Sequence, residues 1–166
     1  VTFHLFAGAG PLENMRMFGS KVGLPALPPD WVFGHWMSSN EWNSQAMVME
    51  RVAETQAHGI PATVLVIEAW SDEKTFYTWN DAVYAPRLAN QAPALQDFTF
   101  PPDGLWPDPK GMIDELHRLG IRLLLWQNPV QKYLGGERHA QQDADEAYML
   151  EKNYCLRWPD GTPYRV

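Results

Sequence analysis

The sequence ATVLVIEAW at residues 62–70 is a nearly continuous run of β-branched and aliphatic side chains. Such a run is typical of a β-strand that is covered on both faces, as in a parallel sheet. IRLLLW at residues 121–126 predicts another strand of this kind, and the aromatic run WVFGHWM at residues 31–37 predicts one earlier in the chain. In chain order these are the first strand (31–37), the second (62–67) and the third (121–126). The sequence therefore predicts three buried strands, at residues 31–37, 62–67 and 121–126.

Helical patterns separate the three predicted strands. Apolar residues at helical spacing predict one helix over residues 44–58, and Gly59 marks its end. Asp108 is a suitable N-cap for a second helix, with Pro109 in its first turn, and Gly120 ends this helix. Alternating buried strands and helices are typical of right-handed βαβ units. The predicted fold class is therefore α/β, with a parallel sheet whose three strands are too few to close a barrel.

The remaining segments carry more local signals. A short helix is expected at residues 13–18, and a third helix at residues 144–152, because residues 143–146 have the spacing of a capping box. Residues 159–161, Pro-Asp-Gly, predict a turn between two extended pieces. The segment 71–107 is rich in proline and aromatic residues, and irregular segments of this length usually have a function.

Composition and charge exclude several classes of partner. The chain has 166 residues, 45% hydrophobic and 20% charged, and a net charge of −7 without basic clusters, so we expect no nucleic-acid partner. Its longest apolar run is far short of the roughly 20 residues that span a bilayer, so we expect no membrane partner. The single cysteine, Cys155, cannot form an internal disulfide, which favours a cytoplasmic location and also fits a secreted protein without disulfide bonds. Val1 in place of a starting methionine suggests a segment of a longer protein.

Polar and aromatic residues follow the predicted strands. In parallel α/β folds, ligands bind at the carboxyl ends of the strands. The candidates there are Glu68 and Trp70 after the second strand, Trp126 at the end of the third, and Asn40 and Glu41 after the first. Carboxylates and amides hydrogen-bond hydroxyl groups, and indoles pack against the apolar face of a sugar ring. These residue types predict a sugar pocket.

Each candidate also has a structural interpretation. Glu68 is the strongest functional candidate because a carboxylate at the end of an apolar strand is costly unless it is hydrogen-bonded. Trp126 is equally suited to covering the core, and Trp70 is a common type of packing residue. His35 and His117 fit structural positions, and no spacing resembles a metal site. A zinc site or a serine-hydrolase site therefore has little support.

Three stretches together resemble glycoside hydrolase family 31. They are PPDWVFGHWMSSN at residues 28–40, VLVIEAW at residues 64–70 and DFTFPPDGLWPDPKGMIDELHRLGIRLLLWQNP at residues 97–129. The resemblance implies the first three β/α units of a (β/α)8 TIM barrel, which is a partial catalytic domain. It assigns residues 1–29 to a linker from a preceding β-sandwich domain, residues 30–128 to the barrel strands, and residues 129–166 to an insertion between the third and fourth strands.

The same resemblance implies a function for the intact protein. Family members are retaining α-glycosidases of the α-glucosidase or α-xylosidase type, which use two aspartates and need no cofactor. Those aspartates are expected beyond this chain, so the chain alone is expected to be inactive. Glu68 stands where the family usually has an aspartate that hydrogen-bonds the sugar, and Trp126 matches an aromatic residue of that pocket. Asn40, Glu41 and Trp70 are implied to lie in the loops that shape it.

Two other functions stay open at this point. A non-catalytic carbohydrate-binding module would suit the eight tryptophans, although such modules are usually β-sandwiches. An inert truncated product is the other alternative. The expected partners of the chain are a carbohydrate and the remainder of the barrel. Self-association is also expected, because a three-stranded sheet has two unpaired edges.

Overall fold

The computed structural model describes residues 1–72, 74–87, 91–128 and 139–164. The chain divides into two units, Val1–Phe33 and Gly34–Val166. In chain order the elements are α1 (Pro11–Val22), β1 (His35–Ser39), α2 (Gln45–Ala57), β2 (Ala62–Ile67), β3 (Val83–Tyr84), β4 (Phe98–Thr99), α3 (Pro109–Arg118), β5 (Arg122–Leu125) and α4 (Ala140–Glu151).

The first unit contains α1 and a short 3₁₀ helix, Asp30–Phe33. Pro11 occupies the first turn of α1, where its missing N–H costs nothing, and Gly23 follows the last turn with a φ of +95°. The helix is therefore longer at both ends than the predicted 13–18. Whether this unit links to a β-sandwich domain stays a prediction.

The second unit is built on a parallel sheet with the strand order β1-β2-β5. Met37 pairs with Leu65, which pairs with Leu123, and Ser39, Ile67 and Leu125 are aligned in the same way. The prediction of three adjacent parallel strands is therefore confirmed.

The first strand begins later than predicted. Residues 31–33 belong to the 3₁₀ helix, and β1 runs from His35 to Ser39, so the predicted bounds 31–37 are wrong at both ends. The chain approaches β2 closely at Gly34, where an added Cβ would lie 2.3 Å from the side chain of Thr63. Only glycine fits beside Thr63 without displacing it. Gly34 directly precedes β1 and does not lie at the centre of a strand.

One face of the sheet packs against the helices. Met37, Leu65 and Ile67 form a buried cluster with side chains of α2 and α3, namely Val48, Val52, Met112 and Leu116. The Oγ of Ser44 accepts from Met47 N at the start of α2, and a carboxylate oxygen of Asp108 accepts from Gly111 N at the start of α3. Asp108, the cap that the sequence indicated, and Ser44, which the structure adds as a cap, therefore begin the two helices that cover this face.

The opposite face of the sheet, which we call the open face, carries Trp36, Ser38 and Leu124. Trp36 is 41% exposed and Leu124 is 38% exposed. Within β1 only Met37 is buried, and along β5 the side chains alternate between more and less exposed positions. Only β2, at the centre, is covered along most of its length.

The segment between β2 and α3 contains a small antiparallel pair, β3 and β4, that the sequence did not indicate. After the undescribed residues, α4 begins at Ala140, four residues before the predicted 144, and the capping residue is His139. The predicted capping box at residues 143–146 is therefore wrong. The predicted turn is confirmed, because Gly161 N donates to Trp158 O at 2.9 Å between two paired extended pieces.

Candidate functional site

Glu68 and Trp126 lie side by side at the carboxyl ends of two neighbouring strands. Ile67 is aligned with Leu125, and the backbone N–H of Trp126 donates to the carbonyl of Ile67 over 3.0 Å. Because successive side chains of a strand alternate between faces, Glu68 and Trp126 follow these two residues onto the open face. Glu68 is half-buried, whereas Trp126 is 43% exposed.

Ser38 of β1 reaches Glu68 from the other side. It is aligned with Val66 and shares the open face with Glu68, and its Oγ donates a hydrogen bond to Oε1 of Glu68. The sequence shows no arrangement of a base and an orienting group around Ser38, so it gives no reason to name this serine as a site residue. The parallel register that places it beside Glu68 is a property of the folded sheet.

Trp70 lies behind Trp126 rather than beside the open face. Its side chain is only 3% exposed, its ring packs edge-on against Trp79 with 5.1 Å between centroids, and its Nε1 donates to the carbonyl of Trp126 at 2.6 Å. Trp70 is therefore near the predicted pocket, and its N–H group is engaged in fixing the backbone of Trp126. A direct contact between Trp70 and substrate stays a prediction.

Phe76 adds an aromatic ring that the sequence analysis missed. Its ring is T-shaped to that of Trp126, with 6.0 Å between centroids. Its φ is +60°, which is strained for a residue with a side chain. Asp72 shapes this turn, since its Oδ1 accepts from Lys74 N and Thr75 N and its carbonyl accepts from Phe76 N. Strained backbone is common at binding sites.

Asn40 and Glu41 are exposed in the turn that follows β1, at the same end of the sheet as Glu68. The N–H of Glu41 donates to Ser39 Oγ at 3.2 Å. The structure thus brings Glu68, Trp126 and Trp70 together, and it leaves Asn40 and Glu41 at the rim. Their contact with a ligand stays a prediction.

Helix α4 braces the loop that carries Phe76. The hydroxyl of Tyr77 donates to Oδ2 of Asp145, and Gln142 Nε2 donates to the carbonyl of Lys74 at 3.0 Å. Gln141 also bonds the backbone of Arg87 through both its amide atoms, at 2.8 and 3.1 Å. Burial in this contact raises the pKa of Asp145 above its ordinary value.

The arrangement suits a ligand with hydroxyl groups. The Glu68 carboxylate and the Ser38 hydroxyl supply polar atoms, and the Trp126 and Phe76 rings supply an apolar wall. Within residues 1–72, 74–87, 91–128 and 139–164, no group of three His, Cys, Asp or Glu side chains could hold a metal ion. No helix in this described part of the chain is long and apolar enough to cross a membrane.

Residues 25–166 match the model of the glycosyl hydrolases family 31 TIM-barrel domain. The chain belongs to glycoside hydrolase family 31. Its sheet, with helices α2 and α3, is thus part of a family 31 TIM barrel.

Among family 31 proteins, the chain is similar to two characterised relatives. It is 45% identical over 164 residues to an isomaltosyltransferase of Sporosarcina globispora, covering 98% of this chain and 15% of the relative. It is also 45% identical over 155 residues to a 1,3-alpha-isomaltosidase of Kribbella flavida, covering 93% of this chain and 21% of the relative. The chain thus spans about a fifth or less of these enzymes.

Solved structures of family 31 enzymes have the same fold over this segment. A cycloalternan-degrading enzyme from Trueperella pyogenes, in complex with a covalent intermediate, matches with a TM-score of 0.85 and 45% identity over 92% of this chain and 21% of that one. A cycloalternan-forming enzyme from Listeria monocytogenes, in complex with a pentasaccharide substrate, matches with a TM-score of 0.86 and 42% identity over 92% of this chain and 14% of that one.

Proposed function

We propose that this chain is the first part of the catalytic barrel of a retaining α-glycosidase that acts on α-linked glucosyl units, with isomaltosyl groups as the favoured substrates. The observation that carries this is the 45% identity to two relatives whose names both specify isomaltosyl chemistry. Relatives named for α-glucosidase and α-xylosidase activity are only 25% and 24% identical. The isomaltosyl relatives therefore favour a glucoside over a xyloside.

The segment's own contribution is to bind and orient the sugar. Glu68 accepts a hydrogen bond from a sugar hydroxyl, and the exposed ring of Trp126 packs against the apolar face of the sugar. Trp70 acts from behind by holding the backbone of Trp126. A pocket of this kind keeps the ring in a fixed orientation, which reduces the entropy lost on the way to the transition state.

The bond-breaking groups are proposed to be two aspartates on later strands of the barrel. In double displacement, one carboxylate attacks the anomeric carbon and forms a glycosyl-enzyme, while the second acts as acid and then as base, with the two carboxyls about 5 Å apart. The covalent intermediate described for the Trueperella pyogenes relative supports this mechanism. Whether water or a second sugar accepts the glycosyl group depends on residues of the acceptor side.

The proposed domain arrangement follows the same reasoning. Residues 1–29 connect the barrel to a preceding β-sandwich, and residues 129–166 begin the insertion after the third barrel strand. The insertion's helix, α4, braces the Phe76 loop through Tyr77 and Asp145. A cytoplasmic location is proposed on the single cysteine alone.

A substrate screen of the full-length protein tests this function. Panose, an aryl α-isomaltoside and an aryl α-glucoside are offered beside an aryl α-xyloside, and ¹H NMR follows the anomer that is released first. We expect turnover of the glucosyl substrates, with the α-anomer as the first product. A β-anomer as first product, or a preference for the xyloside, would contradict the proposal.

A further inference from the structure

We propose that Ser38 is a specificity-determining residue of this site, whose hydroxyl oxygen accepts a hydrogen bond from a sugar hydroxyl next to the one that Glu68 binds. The inference rests on the proposed function, because it names a second polar group of the same sugar pocket.

The sheet register brings the two side chains together. Ser38 in β1 is aligned with Val66 in β2, and Glu68 lies two residues further along the same strand direction, so both side chains project from the open face. The Ser38 hydroxyl donates to Oε1 of Glu68. Ser38 is exposed on this face, so a ligand that reaches Glu68 can also reach the serine oxygen.

The direction of this hydrogen bond fixes what Ser38 can do. A serine hydroxyl has one proton and two lone pairs, and an ionised carboxylate can only accept. Since the O–H of Ser38 donates its hydrogen bond to Glu68, the lone pairs of the serine oxygen remain available to accept from a ligand. Glu68 in turn keeps the lone pairs of Oε2 for a second donor.

Two adjacent acceptors select the chemistry of the ligand. They require two O–H donors at neighbouring positions, which a pair of hydroxyls on adjacent ring carbons supplies. A sugar in which one of these hydroxyls is replaced by hydrogen or fluorine loses that donor. Discrimination of this kind is strong, because a polar group of the site is then left without its partner.

The test uses the full-length enzyme with Ser38→Ala, Ser38→Thr and Glu68→Ala. Ser39→Ala is the matched control, because Ser39 is the neighbouring serine on the opposite face and its Oγ accepts from Glu41 N. Substrates are an aryl α-glucoside and its monodeoxy and monofluoro analogues. Circular dichroism of each variant checks that the fold is retained.

We expect Ser38→Ala to lower kcat/KM on the parent glucoside by about tenfold, the size of one hydrogen bond. On the analogue that lacks the hydroxyl bound by Ser38, the same substitution has no further effect. Glu68→Ala likewise causes no further decrease in kcat/KM on the analogue that is modified at the adjacent carbon. Ser38→Thr keeps most of the activity, and Ser39→Ala matches the wild type.

Three results would overturn the inference. If Ser38→Ala reduces kcat/KM by the same factor on every analogue, Ser38 only supports the fold. If Glu68→Ala is strongly impaired while Ser38→Ala matches the wild type, the Ser38 assignment is wrong and the proposed function stands. A weak effect of Glu68→Ala would show that Glu68 is a structural residue, so the inference and the proposed role of Glu68 would fall, while the substrate screen would still decide the proposed activity.

Discussion

The indole N–H of Trp70 donates to the backbone carbonyl of Trp126, with 2.6 Å between the two heavy atoms. This hydrogen bond joins the end of β2 to the end of β5 on the buried side of the site. Because Trp126 is the exposed aromatic residue beside Glu68, the bond fixes where the proposed sugar platform stands relative to the carboxylate.

Trp70→Phe removes this donor and keeps an aromatic ring in the core. We expect a stability loss of about 1 kcal/mol, the usual net value of one hydrogen bond. We also expect kcat/KM of the full-length enzyme to fall several-fold, because Trp126 is less firmly placed. Urea unfolding and steady-state kinetics measure the two effects. Trp79→Phe, in the same aromatic cluster, is the control, and equal kinetic losses in both variants would contradict a specific role for Trp70.

Phe76→Gly is expected to be more stable than Phe76→Ala by about 1 kcal/mol, because alanine at a φ of +60° retains the steric cost that glycine lacks. Both variants lose the ring packed on Trp126. The midpoint of chemical unfolding provides the comparison. At Tyr77, which is not among the described residues with positive φ, the same pair of substitutions should give the opposite order. The same order at both positions would show that backbone strain is not the cause.

Asp145→Asn is expected to change how stability depends on pH. Burial raises the pKa of Asp145 above its ordinary 3.8, so the folded state binds the proton more tightly than the unfolded state. The contribution of Asp145 to stability is therefore full below pH 3.8 and is lost as pH rises through the raised pKa. Melting temperatures across the acid range should show the wild type losing stability relative to Asp145→Asn as pH increases. The most acidic samples serve as the reference. If the melting temperature of the wild type rises relative to that of Asp145→Asn as pH increases, the raised pKa of Asp145 is contradicted.

The parts of the fold that sequence predicts well depend on local rules. The run at residues 62–67 fixes β2, and the predicted cap Asp108 begins α3. Because strands in a parallel sheet share a direction, the sequence alone predicts that Glu68 and Trp126 lie at the same end of the sheet.

The parts that sequence missed depend on contacts between distant residues. The first turn of helix α4 contains Gln141, which bonds to the backbone of Arg87, and Gln142, which bonds to the carbonyl of Lys74 in the Phe76 loop. Local capping rules do not include such long-range bonds. The strained turn at Phe76 and the pairing of Ser38 with Glu68 likewise arise from tertiary structure. No short-range pattern in the sequence indicates them.

The isolated 166-residue chain is expected to associate and to show no glycosidase activity. Among the described residues, no further strand pairs with the outer edges of β1 and β5, and Trp36 and Leu124 on the open face are exposed. Light scattering should report dimers or larger species. Replacing Trp36 and Leu124 by Gln should reduce the association, whereas Leu156→Gln, which changes a residue 77% exposed outside the sheet, should not. A monodisperse 19 kDa species with a cooperative melt would show that the segment folds alone.

The central claim is that Glu68 binds the sugar that the enzyme cleaves, and kcat/KM of Glu68→Ala in the full-length protein tests it most directly. Panose and the aryl α-glucoside are the substrates, and a melting curve confirms the fold. Loss of a charged hydrogen bond to a sugar hydroxyl should lower kcat/KM at least about 100-fold, corresponding to about 3 kcal/mol. A decrease of tenfold or less on both substrates would show that Glu68 is a structural residue.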